Sequence, residues 1–379
     1  MNSTSNVSRR NVIKAASLTM AGFNVALVSG SVGNAKESMK TQSQKPEYRL
    51  RLASWYEPDF LNQFSMTQRL AERIRQISDG RLEIEVLKPE TEFPRTDIFK
   101  RVADGTVDMG RTLSYYWNKE LNRSLDFFLT IPFGMTEQEF SVWLYQLDGQ
   151  KFWDEVYAAY GVKPLLCGSL DVQSFGWFKQ EIRTVNDLKG LRYRTTGPML
   201  DIMTRLGAKP LELSGNEILS ALREGRLDGA ELVGPAADIN FEFETVAPYS
   251  YYPGFHQPMG AIELLVNKTR FDSLPSDLQA IIAIVCQAER DVTQAQMHLM
   301  NARALQTLQQ GGKMQLRRLP EDVLAVLKKA SDEWMVGVMN TGDALTQRMT
   351  RSYLEATALL RPWTEISQGW FITSRELNS

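Results

Sequence analysis

Residues Glu217–Ala230 read E-I-L-S-A-L-R-E-G-R-L-D-G-A, and Asp97–Gly110 read D-I-F-K-R-V-A-D-G-T-V-D-M-G. Both stretches place an acid, an isoleucine and an apolar helical face before an acid-glycine pair, and both have an aspartate three residues after the glycine. Glycine ends helices because it adopts the left-handed backbone conformation easily. Each copy therefore predicts a short helix, a stop at the glycine and a short strand.

The segments before each copy show the same order of strand, helix and strand. In the first block the pattern predicts a strand over Tyr48–Trp55, a helix over Asp59–Ser78 and a strand over Leu82–Leu87. In the second block it predicts a strand over Leu191–Arg194, a helix over Pro198–Leu206 and a strand over Lys209–Leu213. Two β-α-β-α-β blocks, near residues 48–117 and 189–235, indicate an α/β protein whose two lobes each contain a mainly parallel sheet flanked by helices.

The first 35 residues are predicted to be a twin-arginine export signal that is not part of the fold. Arg9 and Arg10 open a segment without acidic residues, and an apolar run of small residues follows over Ala15–Val32. Gly33-Asn34-Ala35 offers small residues at the offsets of a cleavage site. The alternative is a membrane anchor, which the short and interrupted run disfavours. Residues 36–46 are expected to be a flexible leader, and the mature protein is expected in the periplasm.

The composition is that of a globular protein with a mildly acidic balance. The chain is 43% hydrophobic and 23% charged, with a net charge of −2, and removal of the export signal takes away three basic residues and no acid. An acidic chain is a poor partner for nucleic acid, so none is expected. Cys167 and Cys286 lie in apolar stretches and are predicted to be buried free thiols, although an exported protein could also form a disulfide.

Two facing lobes would bring two sheet edges to one cleft, where ligands of open parallel sheets bind. In the second block, Arg194 ends a strand and Glu231 follows the strand of the repeat. In the first block, Ser114, Tyr115 and Tyr116 occupy the corresponding edge. We therefore predict a two-lobe solute-binding protein with periplasmic-binding-protein-like architecture.

Arg194 and Glu231 each allow two interpretations. A guanidinium can hold a carboxylate through two parallel charge-assisted hydrogen bonds, which makes Arg194 the candidate for binding an anion. Alternatively, Arg192 and Arg194 are surface residues of an edge strand. Glu231 lies in an apolar strand, where an ionised acid needs a partner. It binds a cation or the arginine in a functional site, or it forms a structural salt bridge.

Further candidates are weaker. Gln173 lies at the predicted start of an aromatic-rich strand, where its amide could donate and accept hydrogen bonds, or it is simply a residue of a crossing strand. His256 and Gln257 follow the aromatic run Tyr249–Phe255, which forms either a cleft wall or core beneath a loop. The chain has two histidines and no P-loop, nucleophile-elbow or dinucleotide motif, so an enzyme is not favoured.

Several motifs together resemble the solute-binding subunits of TRAP (tripartite ATP-independent periplasmic) transporters. They are Ser-Tyr-Tyr-Trp at 114–117, Gly-Trp-Phe at 176–178, Asp-Leu-Lys-Gly-Leu-Arg at 187–192, Arg194, Asp228, Val-Gly-Pro at 233–235 and Tyr-Tyr-Pro-Gly at 251–254. The similarity spans roughly residues 48–340 and is greatest to the branch that binds 2-oxo monocarboxylates. It implies two α/β lobes, joined by crossing strands and a long helix, that close on a ligand.

The resemblance also implies roles for individual residues. Arg194 corresponds to the arginine that holds the substrate carboxylate, and Gln173 to a substrate contact. Glu231, the carbonyl of Leu232 and Gln257 correspond to ligands of a bridging cation, sodium or calcium. The branch usually has tryptophan at 232, an aromatic residue at 256 and an acid at 257, so Leu232, His256 and Gln257 are departures. They leave open a larger, branched or hydroxylated acid.

This resemblance sets the expected organisation and partners. Lobe I is expected to comprise residues 47–170 and about 258–295, lobe II about 171–257 and 296–345, and the C-terminal helices 320–379. The resemblance implies a receptor that delivers a small 2-oxo or 2-hydroxy acid to TRAP membrane subunits, with C-terminal helices that can mediate a homodimer. The alternatives are an exported enzyme or a sensory ligand-binding protein on the same scaffold.

Overall fold

The computed structural model describes residues 45–57, 60–129 and 131–375. The export signal expected over residues 1–35, the first nine residues of the expected leader and Asp59 lie outside the described residues. Within the described part of the chain, no helix is both long enough and apolar enough to cross a membrane.

Eleven strands form two sheets in the described part of the chain. The strands are β1 (Tyr48–Ser54), β2 (Leu82–Val86), β3 (Met109–Thr112), β4 (Val162–Ser169), β5 (Gly176–Phe178), β6 (Arg192–Arg194), β7 (Lys209–Leu211), β8 (Gly229–Ala230), β9 (Tyr249–Tyr252), β10 (Ala261–Asn267) and β11 (Gln315–Arg318). A five-stranded sheet has the order β2-β1-β3-β10-β4 and defines lobe I. A six-stranded sheet has the order β11-β9-β5-β8-β6-β7 and defines lobe II.

Both sheets are mixed, and the expectation of mainly parallel sheets is confirmed, because only one strand in each sheet runs against the others. In lobe I, β1 runs parallel to β2 and β3, whereas β10 is antiparallel to β3 and β4. In lobe II, β6 runs parallel to β7 and β8, whereas β5 is antiparallel to β8 and β9. The antiparallel strands β5 and β10 are those by which the chain enters one sheet after leaving the other. A strand that arrives from the opposite lobe enters at the edge where the parallel strands end, so it runs against them.

Twelve α-helices in the described residues cover and connect the sheets. They are α1 (Gln63–Ile77), α2 (Ile98–Ala103), α3 (Glu137–Gln146), α4 (Gly149–Ala158), α5 (Pro198–Arg205), α6 (Gly215–Arg223), α7 (Pro235–Asp238), α8 (Lys268–Ser273), α9 (Ser276–Gln310), α10 (Glu321–Thr341), α11 (Ala344–Thr364) and α12 (Trp370–Ser374). Short 3-10 turns lie at Arg95–Asp97, Ser114–Trp117, Arg123–Phe128, Val185–Leu188, Ile239–Phe241 and Phe243–Thr245, and a π turn at Glu365–Gly369 joins α11 to α12. Helix α9 has 35 residues, a length of about 50 Å.

The internal repeat is visible in equivalent hydrogen bonds of the two lobes. In lobe I, Asp108 accepts the backbone N–H of Arg51 on Oδ2 at 2.8 Å and donates its own N–H to the Arg51 carbonyl at 3.2 Å. In lobe II, Asp228 accepts the N–H of Arg192 on Oδ2 at 3.0 Å and donates its N–H to the Arg192 carbonyl at 2.8 Å. The repeated aspartate therefore fastens its strand to the first strand of each block.

The predicted helix stops and caps of the repeat are also present. The two repeated glycines, at 105 and 225, have φ of 78° and 72°, a region that favours glycine. Ser214 and Glu217 form the predicted capping box at the start of α6. In the first block, α1 begins at Gln63 and not at Asp59, because Leu61 and Asn62 have left-handed φ values of 50° and 55°.

The apolar core lies on both faces of the lobe I sheet and beneath the lobe II helices. One face of β1, β3 and β10 packs against α1 and α9, and a second cluster extends from α2 through the aromatic side chains of α3 and α4 to α10 and α11. A smaller cluster forms beneath α6. Cys167 and Cys286 are buried free thiols as expected, and burial raises the pKa of the Cys167 thiol to about 11.

Candidate functional site

Arg194 is buried at the carboxyl end of β6, the end at which we expected the ligand cleft. Strand β6 has β7 on one side and β8 on the other, so it is not an edge strand. Arg194 is 8% exposed, whereas Arg192 forms a partly exposed ion pair with Asp228. The interpretation of both arginines as surface residues of an edge strand therefore does not hold for Arg194.

Two of the three nitrogens of the Arg194 guanidinium donate hydrogen bonds within the protein. Its Nε donates to the Leu213 carbonyl at 3.0 Å, and its Nη1 donates to the Glu231 carbonyl at 2.7 Å and to Glu231 Oε1 at 3.1 Å. No described residue accepts a hydrogen bond from Nη2 in this set of contacts. The N–H groups of Nη2 are therefore the donors that remain for a bound anion.

Glu231 is the buried counter-charge of Arg194. It follows β8, whose Ala230 is in register with Arg194, and it is 2% exposed. Burial raises the pKa of this carboxyl, but the Arg194 charge and interaction with His256 outweigh burial, so the pKa lies below its usual range. His256 Nε2 lies 3.9 Å from Glu231 Oε2. The site thus holds an ionised carboxylate beside a guanidinium and an imidazole.

The segments that cross between the lobes bring Gln173 and Gln257 to this pair. The Gln173 N–H donates to the Gln257 carbonyl at 3.2 Å, and the Ser174 N–H donates to the Val233 carbonyl at 3.1 Å. A Cβ at Gly254 would lie 1.8 Å from the Gln173 carbonyl oxygen, so this approach requires glycine. Gln173 therefore lies in the crossing segment before β5, not at the start of the strand.

The Gln173 side chain is buried with an unsatisfied oxygen. The residue is 4% exposed, and its Oε1 has no hydrogen-bond partner among the described residues. A buried polar atom without a partner carries a free-energy cost, and a ligand group or cation at this position would remove it. The Gln257 side chain is also buried.

Lobe I contributes aromatic side chains from the 3-10 turn Ser114–Trp117. Tyr116 stacks on Trp55 with ring centroids 3.8 Å apart, and Tyr115 lies against Tyr116 at 4.3 Å. Burial raises the pKa of both phenols, and the positive charge of Arg194 offsets part of that rise. The two phenols of lobe I therefore lie within the electrostatic influence of the lobe II arginine.

Ser114 and Leu232 have different surroundings from the charged pair. The Ser114 hydroxyl is buried and donates to the Leu125 carbonyl at 2.9 Å, so it holds the turn within lobe I. Leu232 is half-buried, and its side chain packs toward Gly215 at the start of α6. Its backbone nevertheless directly follows Glu231.

Three features of the cleft were not identified from the sequence. Trp55 stacks on the Tyr116 ring. It directly follows β1, so its position at the end of a strand could have indicated that it lines the cleft. Two ion pairs join lobe I to lobe II near the tyrosine turn: Lys119 Nζ–Glu212 Oε2 at 2.8 Å and Arg123 Nη2–Asp201 Oδ2 at 2.9 Å. The ion pairs link residues far apart in sequence, and no local pattern indicates them.

The donor set around Glu231 suits a hard cation and not a transition metal. No group of three or more His, Cys, Asp or Glu in the described part of the chain could hold a metal ion. The candidate donors are the Glu231 carboxylate, the Leu232 carbonyl and the Gln257 amide, all of which offer oxygen. Three such donors fit sodium or calcium only if the bound acid supplies further oxygens.

This fold and site define a two-lobe solute-binding protein. Residues 55–339 match the family described as bacterial extracellular solute-binding protein, family 7 (DctP), and the chain belongs to that family. It is 34% identical over 306 residues to a monocarboxylate 2-oxoacid-binding periplasmic protein of Nostoc sp., covering 80% of this chain and 82% of the relative. The family is one of periplasmic transport receptors.

Solved structures of TRAP periplasmic solute-binding proteins share the fold. The protein from Pseudoalteromonas atlantica, with bound sodium and pyruvate, is 32% identical with a TM-score of 0.79 over 87% of this chain and 99% of its own. The protein from Colwellia psychrerythraea, with bound calcium and pyruvate, is 32% identical with a TM-score of 0.81 over 87% and 100%. A Bordetella bronchiseptica protein, a dimer with calcium and picolinate, is 25% identical with a TM-score of 0.80 over 87% and 98%.

Proposed function

We propose that this protein is the periplasmic receptor of a TRAP transporter and binds a small 2-oxo or 2-hydroxy monocarboxylate between its lobes. The observation that carries the proposal is the buried Arg194 guanidinium, whose Nη2 makes no hydrogen bond with the described residues. A buried donor of this kind binds a carboxylate strongly. The pyruvate bound by two relatives supports this substrate class.

Binding would exchange one carboxylate for another on Arg194. The ligand carboxylate would bind at Nη2 and compete with Glu231 Oε1, now 3.1 Å from Nη1. The Nε bond to Leu213 and the Nη1 bond to the Glu231 carbonyl would keep the guanidinium oriented. Because the arginine is already fixed, little side-chain entropy is lost on binding.

A sodium or calcium ion would be held by Glu231, the Leu232 carbonyl and Gln257. It would supply positive charge to the two adjacent oxygens of a 2-oxo or 2-hydroxy acid. Arg194 and Glu231 already balance each other, so a bound monocarboxylate adds one negative charge. A monovalent ion would cancel that charge, and the charge count therefore favours sodium.

The remaining candidate residues would shape the pocket. The Gln173 amide can present its oxygen to a cation or hydroxyl, or its NH2 group to an oxo oxygen. Tyr115, Tyr116 and His256 would form the walls around the acid's side chain, and Ser114 would hold the tyrosine turn through Leu125. Leu232 would leave room for a side chain larger than the methyl group of pyruvate.

Closure of the lobes is part of this proposal, with the lobe boundaries expected from the sequence. All strands of the five-stranded sheet fall within 47–170 or 258–295, and all strands of the six-stranded sheet within 171–257 or 296–345. A receptor of this kind closes because the ligand contacts both lobes. We also propose export through the twin-arginine pathway, on the basis of Arg9 and Arg10, and delivery of the acid to TRAP membrane subunits.

A homodimer through the C-terminal helices completes the proposal. Leu359, Trp363, Ile366 and Trp370 are 68%, 69%, 49% and 62% exposed and recur three or four residues apart. Large apolar side chains exposed on one stretch of helix mark an interaction surface. We assign a second copy of the chain to this surface because the Bordetella bronchiseptica relative is a dimer.

A thermal-shift screen of metal-depleted protein tests the function. The screen uses C2–C6 2-oxo, 2-hydroxy and dicarboxylic acids, each with and without sodium or calcium. An acid at 100 times its Kd should stabilise the protein by about 2.7 kcal/mol. We expect a 2-oxo or 2-hydroxy acid to raise the midpoint, and more so with sodium. No shift with any acid would overturn the proposal.

A further inference from the structure

Asn301, on helix α9, joins the crossing segment that leads to Gln173 and the lobe II segment that follows Glu231. Its Nδ2 donates to Asp171 Oδ2 at 3.2 Å, and its Oδ1 accepts the backbone N–H of Ala236 at 3.1 Å. Asp171 lies two residues before Gln173, and Ala236 lies five residues after Glu231. One amide side chain therefore bridges the segments that bear these two site residues, in addition to the Ser174 N–H bond to the Val233 carbonyl.

Asp171 is held firmly at the point where the chain leaves lobe I. It is 8% exposed and has a left-handed φ of 64°, a conformation that Asp and Asn adopt more readily than other non-glycine residues. Its N–H donates to Ser169 Oγ at 2.9 Å, and its Oδ2 lies 3.1 Å from His298 Nδ1. The position of Gln173 thus depends on a turn that α9 anchors.

Helix α9 presents these contacts along its length. Thr293 Oγ1 accepts the Ser169 N–H at 3.0 Å, and Asn301 stands eight residues later, about two turns along the same face. On the lobe II side, a Cβ at Gly234 would lie 3.4 Å from Asn301 Oδ1, so the segment after Glu231 passes close to the amide. The helix therefore supports both the crossing segment that leads to Gln173 and the lobe II segment that follows Glu231.

We propose that Asn301 is a positioning residue of the ligand site. It sets the distance between the Gln173 segment and the Glu231 segment, and through that distance it sets the affinity for the acid. This inference rests on the proposed function of the site. The orientation of the Asn301 amide is defined, because only one orientation gives Ala236 an acceptor and Asp171 a donor.

The test exchanges the amide and the carboxylate between two positions. Asn301→Asp places a carboxylate against that of Asp171, and like charges at hydrogen-bonding distance repel strongly. In the double variant Asn301→Asp/Asp171→Asn, the new amide donates to the new carboxylate, which still accepts the Ala236 N–H. Asp171→Asn alone keeps an acceptor for Asn301. Asn240→Asp is the control for added charge, since Asn240 bonds the Ala236 carbonyl and not Asp171.

Affinity is measured calorimetrically for pyruvate, or for the 2-oxo acid that binds most tightly, well below the unfolding midpoint. We expect Asn301→Asp to weaken binding about tenfold or more and the double variant to return to within about threefold of the wild type. Asp171→Asn and Asn240→Asp should each change affinity by less than about threefold. If Asn301 merely stabilises the fold, Asn301→Asp should lower the unfolding midpoint, the exchange should restore it, and the affinity of the folded single variant should not change.

Two results separate this inference from the proposed function. If the wild type binds an acid and folded Asn301→Asp binds it equally well, or if the double variant fails to recover, the positioning role is wrong. If the wild type binds no carboxylate, the proposed function itself fails. Should Asn301→Asp not fold, Asn301→Ala removes both hydrogen bonds without adding charge, and unchanged affinity of that variant would also overturn the role.

Discussion

Arg194 Nη1 lies 3.1 Å from Glu231 Oε1, so two neighbouring parallel strands end in a buried guanidinium and a buried carboxylate. Each charge makes the burial of the other tolerable, because an unpaired ion in this position would be costly. The same pairing means that an entering anion meets a cation that is already neutralised. Under the proposed function, Arg194 should therefore bind the acid best when another positive charge satisfies Glu231.

Arg194→Ala should abolish most of the affinity for the acid. The change removes the charge-assisted donor and leaves Glu231 buried without its partner, so binding should weaken by about 2–5 kcal/mol. Arg194→Lys keeps the charge but loses the planar group that spans Leu213 and Glu231. Titration calorimetry on both variants, with folding verified by circular dichroism, checks this. Near-normal affinity in Arg194→Ala would place the carboxylate elsewhere.

Glu231→Gln should remove the dependence of binding on a cation. The variant keeps the shape of the side chain but lets Arg194 serve the ligand without competition, and it removes the only carboxylate among the candidate cation donors. The ratio of Kd values without and with sodium should fall to about one. Potassium or choline chloride replaces sodium chloride in the reference buffer. An equal response of both proteins to sodium would contradict the cation assignment.

The ion pairs that join the lobes should make binding sensitive to ionic strength. Lys119–Glu212 and Arg123–Asp201 are largely exposed, so each contributes about 0–1 kcal/mol and is screened by salt. The double variant Lys119→Ala/Arg123→Ala should bind up to about tenfold more weakly at low salt. Its affinity should also change less than that of the wild type when choline chloride is added. Parallel salt dependences in the two proteins would show that these pairs do not stabilise the liganded state.

Glu263 should make folding stability decrease as the pH rises. It is buried in lobe I, and burial raises its pKa to about 8 although Tyr157 donates to Oε2 at 2.9 Å. A carboxyl with a raised pKa is protonated in the folded state and loses its proton in the unfolded state above about pH 4.5. The cost of burying it therefore grows from about pH 4.5 to about pH 8.

Glu263→Gln tests this pH dependence directly. The amide oxygen can still accept from Tyr157, and the side chain no longer titrates. Thermal unfolding should show similar stability of wild type and variant near pH 4.5 and an advantage for the variant near pH 8. A pH-independent difference between the two midpoints would show that Glu263 does not titrate in this range.

Trp363→Glu and Trp370→Glu should each convert the proposed dimer into monomers. Each change places a charge in the exposed apolar stretch of the C-terminal helices, where a second copy would otherwise bury the ring. Light scattering after size exclusion measures the mass. Leu299→Glu is a control, since Leu299 is 50% exposed on α9, outside this surface. A monomeric wild type would refute the dimer.

Local patterns predicted the repeated blocks well because each block is specified by neighbours in sequence. The capping box at Ser214 and the stop at Gly225 determine α6, and α2 follows the same logic in the first block. The sheets were less predictable. The direction of β10 and β5 depends on where the chain re-enters a lobe, and this is a long-range property.

The candidate site likewise contains residues that local sequence indicates and residues that only long-range contacts bring together. Arg194 and Glu231 were identifiable because a charged residue at the end of an apolar strand is costly to bury unless it has a partner or a ligand. The contact between Gln173 and Gln257 depends on two crossing segments more than 80 residues apart, and on the glycine at 254 that lets them approach. Nothing near either glutamine in sequence indicates the other.

The two copies of the repeat differ at the positions of the proposed anion site. Ala53 pairs with Gly110 in lobe I in the same register in which Arg194 pairs with Ala230 in lobe II. Lobe I therefore has a methyl group where lobe II has the guanidinium.

In lobe I, the residue that corresponds to Glu231 is Arg111. It is not a buried carboxylate, and among the described residues it does not pair with a charged residue on the neighbouring strand. Its guanidinium is 1% exposed and donates to the carbonyl and side chain of Gln63 on α1. Both copies of the repeat thus share the backbone scaffold, and at these positions only the lobe II copy has a buried guanidinium paired with a carboxylate. Under the proposed function, an acid arriving from the periplasm should dock first on lobe II, with lobe I closing afterwards through its tyrosine turn and the Lys119 and Arg123 ion pairs. The association rate would then depend on encounter of the acid with lobe II alone. The dissociation rate would depend on how often lobe I reopens.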